Sequence, residues 1–197
     1  MQDPQSLESD MAETEMVISA GDHVVLVAVD ASDHSVYALK YYLNHLHQSN
    51  HFVIFHHTFE PPQVTYGIGA AGVAQVSSLN SRQWQEMFNK ETEAVMKLRE
   101  EVKATLAHTH KEVRHAFEFE SHCGNKPGEG IVKSAEEHHV DLIVIGTRGH
   151  GTLRQTVLGS VSNYVLHHVE CPITVCHLPK EMRHKRHDKH HHKKHGH

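Results

Sequence analysis

Cysteine is scarce in this chain, and its three copies, Cys123, Cys171 and Cys176, form no C-x-x-C pair. An odd and unpaired set argues against a disulfide scaffold and fits a reducing compartment, for which the cytoplasm is the default. Long apolar runs are missing too. The longest, Val24 to Val29, is far too short to span a bilayer. The acidic N-terminus has no apolar stretch of the kind a secretory signal needs. A formal net charge of −5 leaves no global case for nucleic acid or a membrane surface as partner. No Gly-Lys pair occurs, which excludes a P-loop. Asp30-Ala31-Ser32-Asp33 holds no glycine, so the dinucleotide fingerprint is missing after the first strand. The nearest approach, Gly149-x-Gly151, has Arg154 where a third glycine belongs.

Histidine is abundant instead, with 24 copies in 197 residues. Seven of them fall within residues 184–197, mixed with lysine and arginine, in a low-complexity stretch that cannot form a packed core. Residues 1–20 are acidic, polar and aperiodic. The sequence thus divides into a disordered leading segment (1–20), one domain of ordinary size (21–179) and a disordered His/Lys-rich tail (180–197).

Within the domain, Asp22 to Asp30 is a β-branched run suited to a strand buried on both faces. Ser32 to Ser35 offer caps to a helix with apolar positions Val36, Leu39, Leu43 and Leu46. A second strand starts at His51. Pro61-Pro62 ends it, and a loop of more than twenty residues, 60–82, follows as a candidate lid. A long helix begins at Trp84. His115 to Ser121 alternate like a strand near one edge. Residues 124–128 read as a turn into a helix over 130–139. The strand Asp141 to Ile145, a glycine loop, a helix from Ser160 and a strand Ile173 to His177 complete the domain. The alternation β-α-β-α-β-α-β-α-β calls for an α/β fold, a parallel sheet with helices on both faces. Such sheets bind ligands outside the carboxyl ends of their strands, where strand order reverses. Asp30 and Gly146 both stand at such ends.

The segment Gly146-x2-Gly149-x9-Gly159-Ser160 joins a strand end to a helix start. Glycines let a backbone approach a ligand closely, and a helix N-terminus offers free N–H groups and a positive dipole end to an anion. Strand, loop and helix together make a phosphate cradle. Asp30 reads either as a ligand contact or as a strand-ending, helix-capping aspartate. Ser160 reads as a helix N-cap, a phosphate contact, or both, since the same donors serve.

With these motifs the chain resembles the universal stress protein family over residues 22–178. The resemblance is carried by Val-Ala-Val-Asp30-x-Ser32, the Pro127-Gly128 turn, Asp141 to Gly149, Leu158-Gly-Ser-Val-Ser162 and Cys171-Pro-Ile-Thr-Val175. It implies an open five-stranded parallel sheet of order 3-2-1-4-5, Rossmann-like or flavodoxin-like. It also implies the ATP-binding branch, since every glycine and both serines of the motif are present. On that resemblance, Gly146, Arg148, Gly149, Gly159, Ser160, Val161 and Ser162 surround the phosphates of ATP (or of AMP or ADP), and Asp30, with Ser32 beside it, takes the ribose. The backbone at His57 and Thr58 lies beside the adenine. Magnesium bridging the phosphates follows from the chemistry of nucleoside triphosphates. The resemblance further implies a homodimer formed by pairing the last strand, Ile173 to His177, with its counterpart. The implied role is a nucleotide-dependent stress-response sensor, with slow hydrolysis or autophosphorylation at most; no residue is assigned as catalytic.

Two other readings belong beside it: a dimeric interaction module in which nucleotide is structural, and a metal buffer in the tail, where His187, His190 and His191 have i, i+3 and i+4 spacing. The pairs His56-His57, His138-His139 and His167-His168 read as surface or satisfied core residues, because adjacent side chains diverge.

Overall fold

The computed structural model describes residues 18–59, 66–68, 74–76, 81–109, 112–121, 126–147 and 158–183. Strand β1 (His23–Ala28) leads through Ser32, which caps the next helix, to α1 (Asp33–Tyr41). The Ser32 hydroxyl accepts from the Ser35 amide, supplying an acceptor that a helix start otherwise lacks. The apolar spacing predicted one helix through Leu46. Instead the last turn, Tyr42–Leu46, widens into a π-helical turn, closed by the His47 amide donating to the Tyr42 carbonyl. The widening lets Tyr42 and Leu43 both face inward.

Strand β2 (His51–Phe59) follows, then β3 (Tyr66–Ile68) and β4 (Ala74–Val76). The last two pair antiparallel, so the stretch read from sequence as a plain loop contains a short hairpin. Helix α2 (Ser81–Ala107) starts ahead of the expected Trp84, and β5 (Arg114–Ser121) follows. Helix α3 (Pro127–Glu137) absorbs the pair Pro127-Gly128 that the sequence placed in a turn. The physical reason is that proline, lacking an N–H and preset in φ, opens helices well. Strand β6 (Leu142–Gly146), helix α4 (Ser160–His168) and β7 (Ile173–Cys176) complete the unit, with a short α5 (Lys180–Arg183) after them.

The five long strands form one parallel sheet of order β5-β2-β1-β6-β7, a doubly wound α/β fold of the flavodoxin-like kind. Counting sheet strands along the chain, this is the order 3-2-1-4-5. Alternation along β1 divides the core. Val25 and Val27 join Leu39, Val53, Phe55, Leu98 and Val102 on one face. Val24 and Leu26 join Ile54, Ile131, Ile143 and Val165 on the other. Each fully buried aliphatic side chain stabilises by about 1.5–3 kcal/mol relative to exposure. That explains why β1 reads as an unbroken apolar run rather than an alternating one. The order reverses between β1 and β6, whose carboxyl ends carry Asp30 and Gly146.

Candidate functional site

Beyond β1 the backbone turns sharply. Ala31 sits at φ 57, a left-handed conformation costly for a residue with a Cβ. The turn is braced from both sides. The Ser32 amide donates to Asp30 Oδ1 at 3.0 Å, and the Asp30 amide donates to Ser35 Oγ at 3.2 Å. One Asp30 oxygen therefore braces the turn into α1, but the helix cap read from sequence at Asp30 is Ser32 instead; a ligand role for Asp30 is compatible with the brace, because a carboxylate has further lone pairs. The Ser32 hydroxyl is the α1 cap and is buried.

At the end of β6, a Cβ built on Gly146 would lie 2.8 Å from the carbonyl carbon and oxygen of His34. Only glycine lets β6 end against the first turn of α1. His34 Nδ1 lies 2.9 Å from Thr147 Oγ1, so the two loops are tied side chain to side chain. The Thr147 carbonyl accepts from the Gly159 amide at 2.6 Å and lies 3.1 Å from Ser162 Oγ. The Ser162 hydroxyl is also 3.1 Å from the Gly159 carbonyl oxygen and is buried. Thr147 and Gly159 thus stand together and bring the two ends of the glycine segment to one point.

Gly159 is the N-cap of α4, with ordinary extended backbone (φ −72, ψ 165). The cap expected at Ser160 is one residue earlier; Ser160 is the first helical residue and is exposed. Val161 is half-buried against the core. The first amides of α4, at the helix's positive dipole end, lie beside Thr147 at the end of β6. Arg148 and Gly149 lie outside the described residues, as do His187, His190 and His191 of the tail and most of the candidate lid.

His57 and Thr58 point to opposite faces of β2. His57 Nδ1 lies 2.7 Å from the Val29 carbonyl oxygen, which only accepts, so Nδ1 carries the hydrogen. Burial holds this imidazole below its usual range, against the raising influence of the Val29 bond, Asp30 and Glu91. Thr58 Oγ1 lies 2.7 Å from Nε2 of the buried His56. His56 Nδ1 lies 3.2 Å from Glu118 Oε2, which also accepts from Ser134 Oγ, and His138 Nε2 stands 3.4 Å from Glu118 Oε1. Burial raises the Glu118 pKa, but the bonds from His56 and Ser134 outweigh it and bring it to about 2. The carboxylate is therefore ionised at neutral pH. This network packs α3 onto β2: a Cβ on Gly130 would collide with Thr58 Oγ1.

His34, Thr147 and the Glu118 network escaped sequence reading. His34 sat in a capping stretch with nothing to mark its side chain. Glu118 looked like the solvent-facing half of an edge-strand alternation. In fact Ala116 and Glu118 share the α3 face, and the helix above leaves the carboxylate half-buried.

A profile of the universal stress protein family matches residues 23–177. The universal stress protein YxiE of Bacillus subtilis is 28% identical over 159 residues, covering 77% of this chain and 96% of that protein. Universal stress protein Slr1101 of Synechocystis is 43% identical over 53 residues, 27% of this chain. The matched part spans 49% of Slr1101 and 32% of its relative Sll1388, half the length or less of these curated relatives. Among solved structures, MJ0577 of Methanocaldococcus jannaschii superposes with a TM-score of 0.62 at 24% identity, over 81% of this chain and 99% of that one. The Arabidopsis thaliana family member At3g01520, solved with AMP bound, superposes at 0.52 and 16% identity, over 81% and 94%. At these identities the structures establish the fold. The profile match, extending over most of the sheet and its helices, establishes more: this chain belongs to the universal stress protein family.

Proposed function

We propose that the crevice between β1 and β6 binds an adenine nucleotide, ATP with magnesium, and that the protein works as a nucleotide-dependent sensor in a stress response. The observation that carries this reading is the contact of Gly146 with His34. It holds the start of α1, just after the Asp30 turn, against the end of β6, and the Gly159 amide bound to the Thr147 carbonyl brings the start of α4 beside them, which supports a site there. Asp30 accepts from the ribose hydroxyls. The amides of Ser160, Val161 and Ser162, with the glycine segment that includes Gly149 and the neighbouring Arg148, receive the phosphates. The β2 backbone at His57 and Thr58 takes the base. AMP in the crystal structure of At3g01520 supports the choice of an adenine nucleotide. Magnesium, where bound, would neutralise phosphate charge. Burial pushes the Cys176 thiol up to about 11, which suits a protonated, inert thiol in the core. Equilibrium dialysis of the full chain against Mg-ATP tests the reading: saturable binding is expected, and its absence below about millimolar nucleotide (about −4 kcal/mol) overturns it.

A second reading concerns assembly. Strand β7 is the last strand of the sheet, and Ile173, Thr174 and Val175 are only half-buried. An edge of this kind is a template for pairing with a second copy. We propose a homodimer through Ile173 to His177. A strictly monomeric mass in light scattering at high protein concentration overturns it.

A further inference from the structure

The amino edge of the sheet, opposite the crevice, carries a histidine cluster that the nucleotide reading does not use. His23 opens β1, His51 opens β2 beside it in register, and His47 precedes β2. Tyr42 is wholly buried, and its hydroxyl lies 2.9 Å from His51 Nδ1 and 3.0 Å from His47 Nδ1. His47 Nε2 lies 3.3 Å from the Glu112 carbonyl oxygen, just ahead of β5.

These contacts assign the protons. A carbonyl oxygen only accepts, so His47 Nε2 carries its hydrogen. Neutral His47 is then bare at Nδ1 and accepts from the Tyr42 hydroxyl. A phenol has one hydrogen to give, so the Tyr42 oxygen accepts from His51 Nδ1–H. The chain runs His51 to Tyr42 to His47 to Glu112, in one direction, with one tautomer at each ring.

We propose that this chain is an acid-sensing latch, which holds the π turn and the 47–51 segment against β2 and β5 and releases them when the histidines take up protons. A proton on His47 Nδ1 replaces an acceptor by a donor. The Tyr42 oxygen then faces two N–H groups, and its own hydrogen loses its acceptor in a buried site. A proton on His51 Nε2 keeps the direction of the chain. It nevertheless sets a cation beside the His23 ring, 5.0 Å away, and the His47 ring, 5.7 Å away. Among the described residues, Asp141 faces the cluster as an anion, 3.4 Å from His23 Nδ1; at the same edge Arg114 is bound to Asp22.

Burial holds His51 below its ordinary value, and His23 and His47 push the same way against Asp141. The unfolded chain therefore takes up this proton more readily than the fold does. Stability at this corner is fully present above the unfolded value of about 6.5 and is lost as pH falls through the lower folded value. Nothing in this inference depends on the crevice.

The test is 15N-histidine NMR and amide hydrogen exchange on the full chain, with Tyr42→Phe as the variant. At about pH 7.5, about one unit above the ordinary imidazole value, His47 is expected as the Nε2–H tautomer and His51 as the Nδ1–H tautomer. From there to about pH 5, exchange of the 42–51 amides, corrected for intrinsic rates, is expected to rise about tenfold, the worth of one hydrogen bond lost in a buried site. Tyr42→Phe keeps the ring's packing and is expected to lose that step. An Nδ1–H tautomer at His47, or an equal step in Tyr42→Phe, overturns the proposal. Should the variant fail to fold, the wild-type tautomers decide alone.

Discussion

Gly146 and His34 touch backbone to backbone: a Cβ on the glycine would stand 2.8 Å from the His34 carbonyl. The glycine is therefore demanded by packing as well as by any ligand. One contact closes the wall between β1 and β6, and the His34–Thr147 bond, 113 residues apart in sequence, reinforces it.

Gly146→Ala is expected to destabilise the fold by about 1–3 kcal/mol, the usual cost of overpacking, because the obstacle is backbone and cannot rotate away. Mg-ATP affinity should fall with it, since the two walls separate. Urea unfolding measures the first effect and dialysis the second. An unchanged urea midpoint contradicts the close approach.

Gly159→Val separates ligand from fold. The backbone at this position is ordinary and extended, so valine fits it, with a cap loss of about 1 kcal/mol at most. Its side chain would stand where the α4 amides meet phosphate. Affinity for Mg-ATP is expected to drop about a hundredfold, equivalent to two charge-assisted hydrogen bonds of about 1.5 kcal/mol each. Wild-type affinity in a folded variant removes α4 from the site.

Asp30→Asn keeps an oxygen for the Ser32 amide and removes the charge. Stability should change by less than about 1 kcal/mol, as for an exchange between two good Asx acceptors. Nucleotide affinity is expected to fall about tenfold or more through weaker bonds to the ribose. Titration calorimetry beside thermal unfolding distinguishes the two. Equal loss in both would reduce Asp30 to bracing the turn before α1.

Glu118→Gln probes the network under α3. The carboxylate's folded pKa, about 2, lies below its ordinary value of 4.5, so the stability it contributes is present above 4.5 and lost as pH falls through 2. The wild type should lose about 1.5–3 kcal/mol across that window, the worth of hydrogen bonds to a buried charge. The glutamine variant should be weaker at neutral pH and flatter toward acid. Parallel curves for the two proteins in acid unfolding would deny Glu118 this part.

Local chemistry was legible in the sequence. The β-branched run of β1, the Ser32 cap and the alternation of strands and helices are all written in neighbouring residues, because period and capping act over a few positions. The glycine segment likewise announced a strand end meeting a helix start. What misled were features whose meaning depends on a distant partner. The π turn at Tyr42–Leu46 has a helical pattern, while its Tyr42 hydroxyl meets His47 and His51 beyond the turn. Pro127-Gly128 has turn composition, yet it opens a helix.

The sequence by itself determined the class of fold, the elements and the candidate residues, since these follow from periodicity and backbone preference. Only the tertiary structure decided which of them meet. That Gly146 must be glycine because of His34, that Glu118 stays charged because His56 and Ser134 donate to it, and that the Tyr42 hydroxyl meets two imidazoles at once all depend on the folded arrangement. They arise from burial and from the directionality of hydrogen bonds, and neither exists until the sheet brings separate segments together.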